Sequence, residues 1–504
     1  MKLHPGLIAL HAAALIAATC SGTARASADK PNIIIILADD LGYGDVGCYN
    51  AASRIPTPNI DRLAREGIRF TDAHSADSVC TPSRYGLLTG RYCWRTGLKS
   101  GVLFNWEPPL IEAGRVTIAS LLEKNGYRTA LVGKWHLGLG FTAKAGRQVD
   151  FKKPLPWPGG PLPDRAISES IDFSVPVFGG PETLGFNETF YSAGCPTDQE
   201  PFCFIENGRF LGMEAASYRQ PAGSWRSGMA APDWVNETVD VRFTEWSVDF
   251  MRRSHQRNPG QPFFLYLPLS SPHSPHVTAE FALGKSKAGV RGDMVWLVDW
   301  VVGRINQTLE ELKISGETLL IVTSDNGPLP GSLAPGAPEG TARITNGHQS
   351  AGRLRGYKAR LWEGGHRVPF VARWPARIPA GTTSDSSICS TDVLATFSEL
   401  LGETLPANAG EDGSSILPAL LGKPMGPRPA IVHHSSTTFS LRDGRWKIVF
   451  GRGEDRVKPE EGKGYLFDLE TDPSEMRDRW AEQPEIVERL TRQFRAIQGN
   501  GAAR

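Results

Sequence analysis

The sequence predicts an α/β protein: a mostly parallel sheet sandwiched by helices, followed by a smaller C-terminal α+β domain with an antiparallel sheet. Three observations carry this. Apolar, β-branched runs recur through most of the chain and are continuous rather than alternating, as strands buried on both faces are. Segments of helical period separate them, the order that a parallel sheet with crossover helices requires. Beyond about residue 427 the runs become short. The 504 residues exceed what one small core organises. Residues 29–427 are assigned to the large domain and 428–504 to the small one.

Residues 32–38 (NIIIILA) form the first expected strand. Thr57 caps a helix opened by Pro58, with Ile60, Leu63 and Ala64 on one face and Gly67 ending it. A helix over 116–124 stops at Gly126 and leads into a strand at 129–133. A helix over 239–252, a strand at 263–269 (FFLYLPL), a long helix over 291–313 and a strand at 318–324 (TLLIVTS) follow. Residues 141–231 are rich in Gly and Pro and read as long loops over the sheet. Short strands near Ile431, at 446–450 and at 465–468, with a closing helix over 484–497, make up the small domain.

The first 26 residues read as a cleaved signal peptide: Lys2, an apolar run over 7–18 too short for a bilayer, and Ala24-Arg25-Ala26. No later segment is apolar enough for a membrane helix, so a secreted or periplasmic protein is expected. The formal net charge is +1, which gives no global attraction to nucleic acid. Export permits disulfides. Cys195 and Cys203 bracket a short Pro-containing loop and are the expected pair, while no C-x-x-C occurs.

Polar residues follow the strands. Asp39-Asp40, Lys134-x-His136, His273 and Asp325-Asn326 each come directly after an apolar run. In open α/β sheets ligands bind outside the carboxyl ends of the strands. Asp39, Asp40, Asp325 and Asn326 are hard oxygen donors, and three carboxylates in one place need a cation. Calcium fits, with magnesium as the alternative. Read singly, DDLG and SDNG are also turn sequences; each capping an apolar strand, together they point to metal. Pro82 and Ser83 open a helix carrying Leu87 and Leu88, which puts Cys80 just before a helix N-terminus and Arg84 one turn in.

Cys80-x-Pro82-x-Arg84 within SVCTPSRYGLLTGRY resembles the signature of the type I sulfatases. LADDLGYGD, VGKWHLG, SSPHSP, TSDNGP, GYKARLWEGGHRVPF and LFDLETDPSEMRD extend the resemblance, in the family's order, along nearly all of the chain after residue 29. The resemblance implies an alkaline phosphatase-like fold and sulfate ester hydrolysis. It implies that Cys80 is oxidised to Cα-formylglycine by a separate formylglycine-generating enzyme and acts as the nucleophile. It implies that Asp39, Asp40, Asp325, Asn326 and residue 80 hold one calcium ion. Arg84 would stabilise the formylglycine hydrate, and Lys134 and Lys358 would grip the sulfate. His136 would help break down the sulfated intermediate, and His273 would face the leaving oxygen.

His276, which repeats the Pro-His pattern, is a candidate for substrate contact. His348 and Arg355, which precede Lys358 with Arg353, are candidates too; a charged loop is the alternative for them. His366 reads as structural. The loop 198–207 and His433-His434 are weaker candidates for the substrate side. Asn187, Asn236 and Asn306 match the glycosylation pattern. The expected substrate is a sulfated carbohydrate. Small aryl sulfates, a phosphoester hydrolase on the same fold, or a non-catalytic glycan binder with an unmodified Cys80 are the rivals.

Overall fold

Along the strand Asn32–Ala38, Ile33, Ile35 and Leu37 enter one apolar layer and Ile34, Ile36 and Ala38 the other, and all six are buried. A buried Ile or Leu side chain contributes roughly 1.5–3 kcal/mol, so the run is continuous because both faces are interior. The first layer is built from Tyr85, Leu87 and Leu88 of the helix Cys80–Thr89, Ile118 and Leu122 of Ile118–Lys124, and Leu394 and Phe397 of Asp392–Leu400. The second comes from Ile60 and Leu63 of Pro58–Glu66, Phe243 and Val248 of Val239–Arg257, and Val298 and Ile305 of Gly289–Glu311. Helices thus cover both faces.

This computed structural model describes residues 30–146, 165–329, 345–435, 438–451 and 464–499. The expected signal segment 1–26 lies outside them. Five strands run parallel in the order Thr318–Ser324, Asn32–Ala38, Phe263–Pro268, Arg128–Lys134, Glu188–Ser192, with Ile34 opposite both Leu265 and Leu320. Phe370–Arg373 and the edge pair Ile205–Glu206 and Arg209–Phe210 add antiparallel neighbours. A separate antiparallel sheet follows in the order Ile431–Ser435, Thr438–Asp443, Trp446–Phe450, Gly464–Asp468. The helix Pro484–Gly499 packs on it through Leu490 and Phe494. No helix among the described residues is long and apolar enough to cross a membrane.

Three local expectations change. The strand Glu188–Ser192 sits in the parallel core, inside the stretch read as loops; at five residues it is too short to show a period among its Gly and Pro neighbours. Thr57 does not cap its helix; its hydroxyl accepts from Gly47 N at 2.9 Å and donates to Asp61 at 3.2 Å. Cys80 is the first residue of its helix rather than the residue before it, with extended Val79 at the cap. Of the three glycosylation patterns, Asn236 and Asn306 are buried and only Asn187 is exposed.

Candidate active site

The carboxyl ends of four parallel strands deliver the polar groups to one edge. The segment after Asn32–Ala38 carries Asp39 and Asp40, and that after Thr318–Ser324 carries Asp325 and Asn326. Lys134 ends its strand with His136 close behind, and His273 follows Phe263–Pro268. All but His273 are buried. Gly133 makes the approach of Lys134 possible: its φ is +141°, and a Cβ there would lie 1.9 Å from Pro268 O. Asp40 adopts a left-handed φ of 71°. Arg291 Nη2 holds that turn by donating to Asp40 O at 2.9 Å, while Asp40 N donates to Asp325 Oδ1 at 3.2 Å.

The helix Cys80–Thr89 enters from the side, with Cys80 Sγ 3.4 Å from Asp39 Oδ1. Arg84 reaches back and grips Asp325 Oδ2 through Nε at 3.1 Å and Nη2 at 2.8 Å. Lys134 Nζ lies 2.5 Å from Asp39 Oδ2. Lys358 Nζ lies 2.7 Å from Asp40 Oδ1 and 3.2 Å from Cys80 Sγ. His273 Nε2 stands 4.0 Å from Asp40 Oδ2, and its Nδ1 is fixed by Ser274 O. His136 Nε2 donates to Leu103 O at 2.8 Å, which leaves Nδ1 buried without a partner.

Three carboxylates and three cations therefore share one buried volume. Burial alone would raise Asp39, but Lys134, His273, Arg84 and Lys358 outweigh it and hold the carboxyl well below its usual range. At Asp325 burial, reinforced by Asp39, wins and pushes the carboxyl up to about 6. Burial and then Lys358 bring His273 down to about 4. Burial and then Lys134 depress His136. The donor set fits a hard divalent cation. Asp40 Oδ2 and Asn326 Oδ1 are buried oxygens without hydrogen-bond partners, and Asp325 resists ionising where a cation would replace its proton.

Other expected residues lie elsewhere. His348 Nε2 meets Asp45 Oδ1 at 3.0 Å, behind the Asp40 turn, in a buried cluster with Arg291. Arg355 donates to Glu475 O at 2.9 Å and lies 3.8 Å over the Trp362 ring. Neither contacts the carboxylate cluster in the structure. His276 is half-buried beside it, its Nε2 unpartnered, and burial followed by Arg291 lowers it to about 3. His366 and His433 meet at the small sheet. The Cys195–Cys203 pair does not form: both are free and buried. Cys195 Sγ instead contacts Lys134 Nζ at 3.2 Å and His273 Nδ1 at 3.3 Å. Sequence spacing suggested a loop staple because it could not show that the strand Glu188–Ser192 carries this residue to the site. Arg291 and Asp45 were also missed. Asp45 stands in the LADDLGYGD motif, but its partner is 246 residues away.

A parallel sheet whose carboxyl edge gathers buried carboxylates, an amide, lysines and a helix-borne cysteine is the framework of alkaline phosphatase-like hydrolases. The family model for sulfatases matches residues 31–403. The chain is 32% identical to an N-acetylgalactosamine-6-O-sulfatase of Bacteroides thetaiotaomicron, over 94% of both chains. It is 34% identical to bovine arylsulfatase A, over 84% of this chain and 76% of that one. A solved Bacteroides thetaiotaomicron structure, described in connection with the metabolism of multiple glycosaminoglycans, superposes with a TM-score of 0.79. It has 31% identity over 94% of this chain and all of that one. The chain belongs to the sulfatase family, with the alkaline phosphatase-like fold, and is a sulfuric ester hydrolase.

Proposed function

We propose that this sulfatase hydrolyses sulfate esters of a carbohydrate, using formylglycine made from Cys80 by a formylglycine-generating enzyme and one calcium ion. The observation that carries the reading is the convergence of buried Cys80 with Asp39, Asp40, Asp325 and Asn326 on one side and Lys134 and Lys358 on the other. The carbohydrate rests on the relative that acts on N-acetylgalactosamine 6-sulfate by name and matches along nearly the whole chain. An apolar run with an A-x-A site at the start supports export to the periplasm or beyond. Residues 29–427 are proposed as the catalytic domain and 428–504 as its C-terminal companion.

The chemistry divides among named groups. Oxidised and hydrated, residue 80 supplies one hydroxyl to attack sulfur and a second whose deprotonation expels sulfate and restores the aldehyde. Asp39, Asp40, Asp325 and Asn326 would hold the calcium, which supplies positive charge for the sulfate oxygens when bound. Lys134 and Lys358 add two more positive charges, already desolvated and fixed by carboxylates, so little reorganisation is needed as charge shifts. Arg84 is locked on Asp325 and holds its position beside residue 80. His136, kept neutral by burial, presents an unpartnered Nδ1 as the base for the second hydroxyl. His273 is on the leaving-group side.

Two measurements test the reading. Peptide mass spectrometry of enzyme from a host able to make formylglycine should find the aldehyde or its hydrate at position 80, and Cys80→Ala should abolish turnover. Activity with only a thiol at Cys80 overturns the mechanism. A panel of defined sulfated mono- and disaccharides should release sulfate faster than nitrophenyl sulfate. Faster turnover of aryl sulfates, or of phosphoesters, would favour those rivals.

A further inference from the structure

Two loops that flank the catalytic cluster, at residues 103–105 and 197–200, leave buried oxygens unsatisfied. Thr197, Asp198 and Asn105 are exposed to only 2%, 9% and 9%. Yet Thr197 Oγ1, Asp198 Oδ1 and Asn105 Oδ1 have no hydrogen-bond partner among the described residues. A buried polar atom without a partner is costly, so three in one place point to a partner that the chain itself does not supply.

The loops are tied to each other and to the site. Gln199 Nε2 donates to Leu103 O at 3.5 Å, the carbonyl that also receives His136 Nε2 at 2.8 Å. Gln199 Oε1 accepts from Cys195 N at 3.1 Å, and Asp198 N donates to Cys195 O at 3.0 Å. Cys195 Sγ in turn touches Lys134 and His273. Asn105 Nδ2 donates to Glu200 Oε1 at 3.4 Å, which leaves Oδ1 as the unused end of that amide. Burial pushes the Asp198 carboxyl up to about 6, against the charges of Arg226 and then Lys134.

Arg226 closes a third side. Its Nη1 stands 3.7 Å from Asp198 Oδ2, beyond hydrogen-bond distance, and its guanidinium carbon lies 5.4 Å from the centre of the Phe104 ring. Its loop packs against the segment that follows His273: a Cβ at Gly223 would lie 2.5 Å from Val277 Cγ1. The three oxygens accept hydrogen bonds and Arg226 donates them. An aryl ring offers such oxygens no donor. A second anion would be drawn to Arg226 but would meet the Asp198 carboxylate beside it. A sugar hydroxyl answers both, because it donates and accepts at one atom.

We propose, on the reading of the enzyme as a carbohydrate sulfatase, that Asp198, Arg226, Asn105 and Thr197 form a subsite for adjacent ring hydroxyls of the sulfated sugar. One hydroxyl donates to Asp198 and accepts from Arg226, and its neighbour donates to Asn105 or Thr197. The subsite takes no part in bond breaking. It holds the ring while the nucleophile at position 80 meets sulfur, and it selects a polyol over an aryl sulfate. Sites built to hydrogen-bond a substrate hydroxyl reject analogues that lack it, because their own buried groups are then left unpaired.

The test uses the full-length, formylglycine-bearing enzyme with calcium. Its substrates are the sulfated monosaccharide it turns over fastest, the monodeoxy analogues of that sugar, and nitrophenyl sulfate. Asp198→Ala and Arg226→Met should each lower kcat/KM on the sugar sulfate about 10–100-fold, the worth of a hydrogen bond to a charged group. Both should leave nitrophenyl sulfate turnover within a few-fold. For wild type, the analogue that lacks the contacted hydroxyl should lose as much as the variants do, and the variants should lose little more on it. Where Asp198→Ala does not fold, Asp198→Asn and the wild-type analogue series carry the same test. Equal losses on sugar and aryl substrates, or a wild type indifferent to every ring hydroxyl, would overturn the subsite and leave the carbohydrate reading standing. Turnover of nitrophenyl sulfate with no sugar sulfate hydrolysed would overturn both.

Discussion

At Cys80 burial, and then the neighbouring Asp39 carboxylate, push the thiol well above its usual pKa despite Lys134 and Lys358. An unmodified thiol at this position is protonated and a poor nucleophile, which agrees with a requirement for oxidation. The Asp325 carboxyl, pushed up to about 6 by burial and Asp39, makes a prediction about calcium. A proton and the ion compete for this carboxylate. Calcium binding should therefore release a proton near pH 6, and affinity should fall as pH drops through that value. Calorimetry in buffers of different ionisation enthalpy reads the released proton directly; buffer-independent heats would refute it. His273 gives a second prediction at this scale. A sugar alkoxide needs a proton as the S–O bond breaks, whereas a nitrophenolate needs far less help. General acid catalysis contributes about 10²–10⁴-fold; with the imidazole brought down to about 4 its acid form is populated in acid, so His273→Ala should cost much more on a sugar sulfate than on nitrophenyl sulfate, and most at low pH. Equal losses of kcat/KM on the two substrates would remove His273 from the acid role.

Elements matter here through their ends. The turn after the strand Asn32–Ala38 must hold Asp40 in a left-handed conformation that a non-glycine residue adopts at a cost. The helix Gly289–Glu311 supplies what holds it there. Arg291 reaches Asp45 Oδ1 at 2.9 Å and Oδ2 at 2.7 Å, Ser350 at 2.8 Å and the Asp40 carbonyl at 2.9 Å, all buried. Replacing Arg291 by Met leaves the Asp45 carboxylate and the Asp40 carbonyl without this partner. Breaking a buried pair in this way costs about 3–5 kcal/mol. Denaturant unfolding of Arg291→Met should show that loss, and calcium affinity should fall with it because Asp40 is a proposed ligand. A stable variant with unchanged calcium binding would show that the turn holds itself. The next close approach is at Gly327, where a Cβ would lie 1.9 Å from Gly364 O. It lets the segment that follows Asn326 pack against the loop bearing Lys358.

For the molecule as a whole, buried acids set the pH response above neutrality. Burial raises Asp77 to about 8 and Glu200 to about 7. A carboxyl with a raised native pKa binds its proton more tightly folded than unfolded, so its contribution is lost as pH rises towards the native value. The buried histidines have lowered pKa values and act in the opposite direction, but only below their ordinary value of about 6.5. Between pH 6.5 and 8 these acids dominate, and stability should fall. Asp77 alone should account for about 1–2 kcal/mol across that window. Thermal melts at both pH values should show wild type losing stability and Asp77→Asn losing less; parallel losses would exclude Asp77 as the source.

The sequence by itself determined the parallel core and the chemistry of its edge. A run such as NIIIILA can only be satisfied between two apolar layers, and Asp, Asn, Lys and His directly after such runs must then emerge at one end of the sheet. Both signals are local, written within a dozen residues of one another. The tertiary structure decided what depends on long-range partners. Spacing offered Cys195 a near neighbour in Cys203, and only the placement of Glu188–Ser192 beside Arg128–Lys134 took it to Lys134 and His273 instead. His348 and Arg355 looked like pocket residues because they precede Lys358, yet buried Asp45 and the Trp362 face hold them. The meeting of His74, His366 and His433 spans 359 positions and has no local signature. Periodicity reports which face of an element is buried, but not which distant residue lies against it.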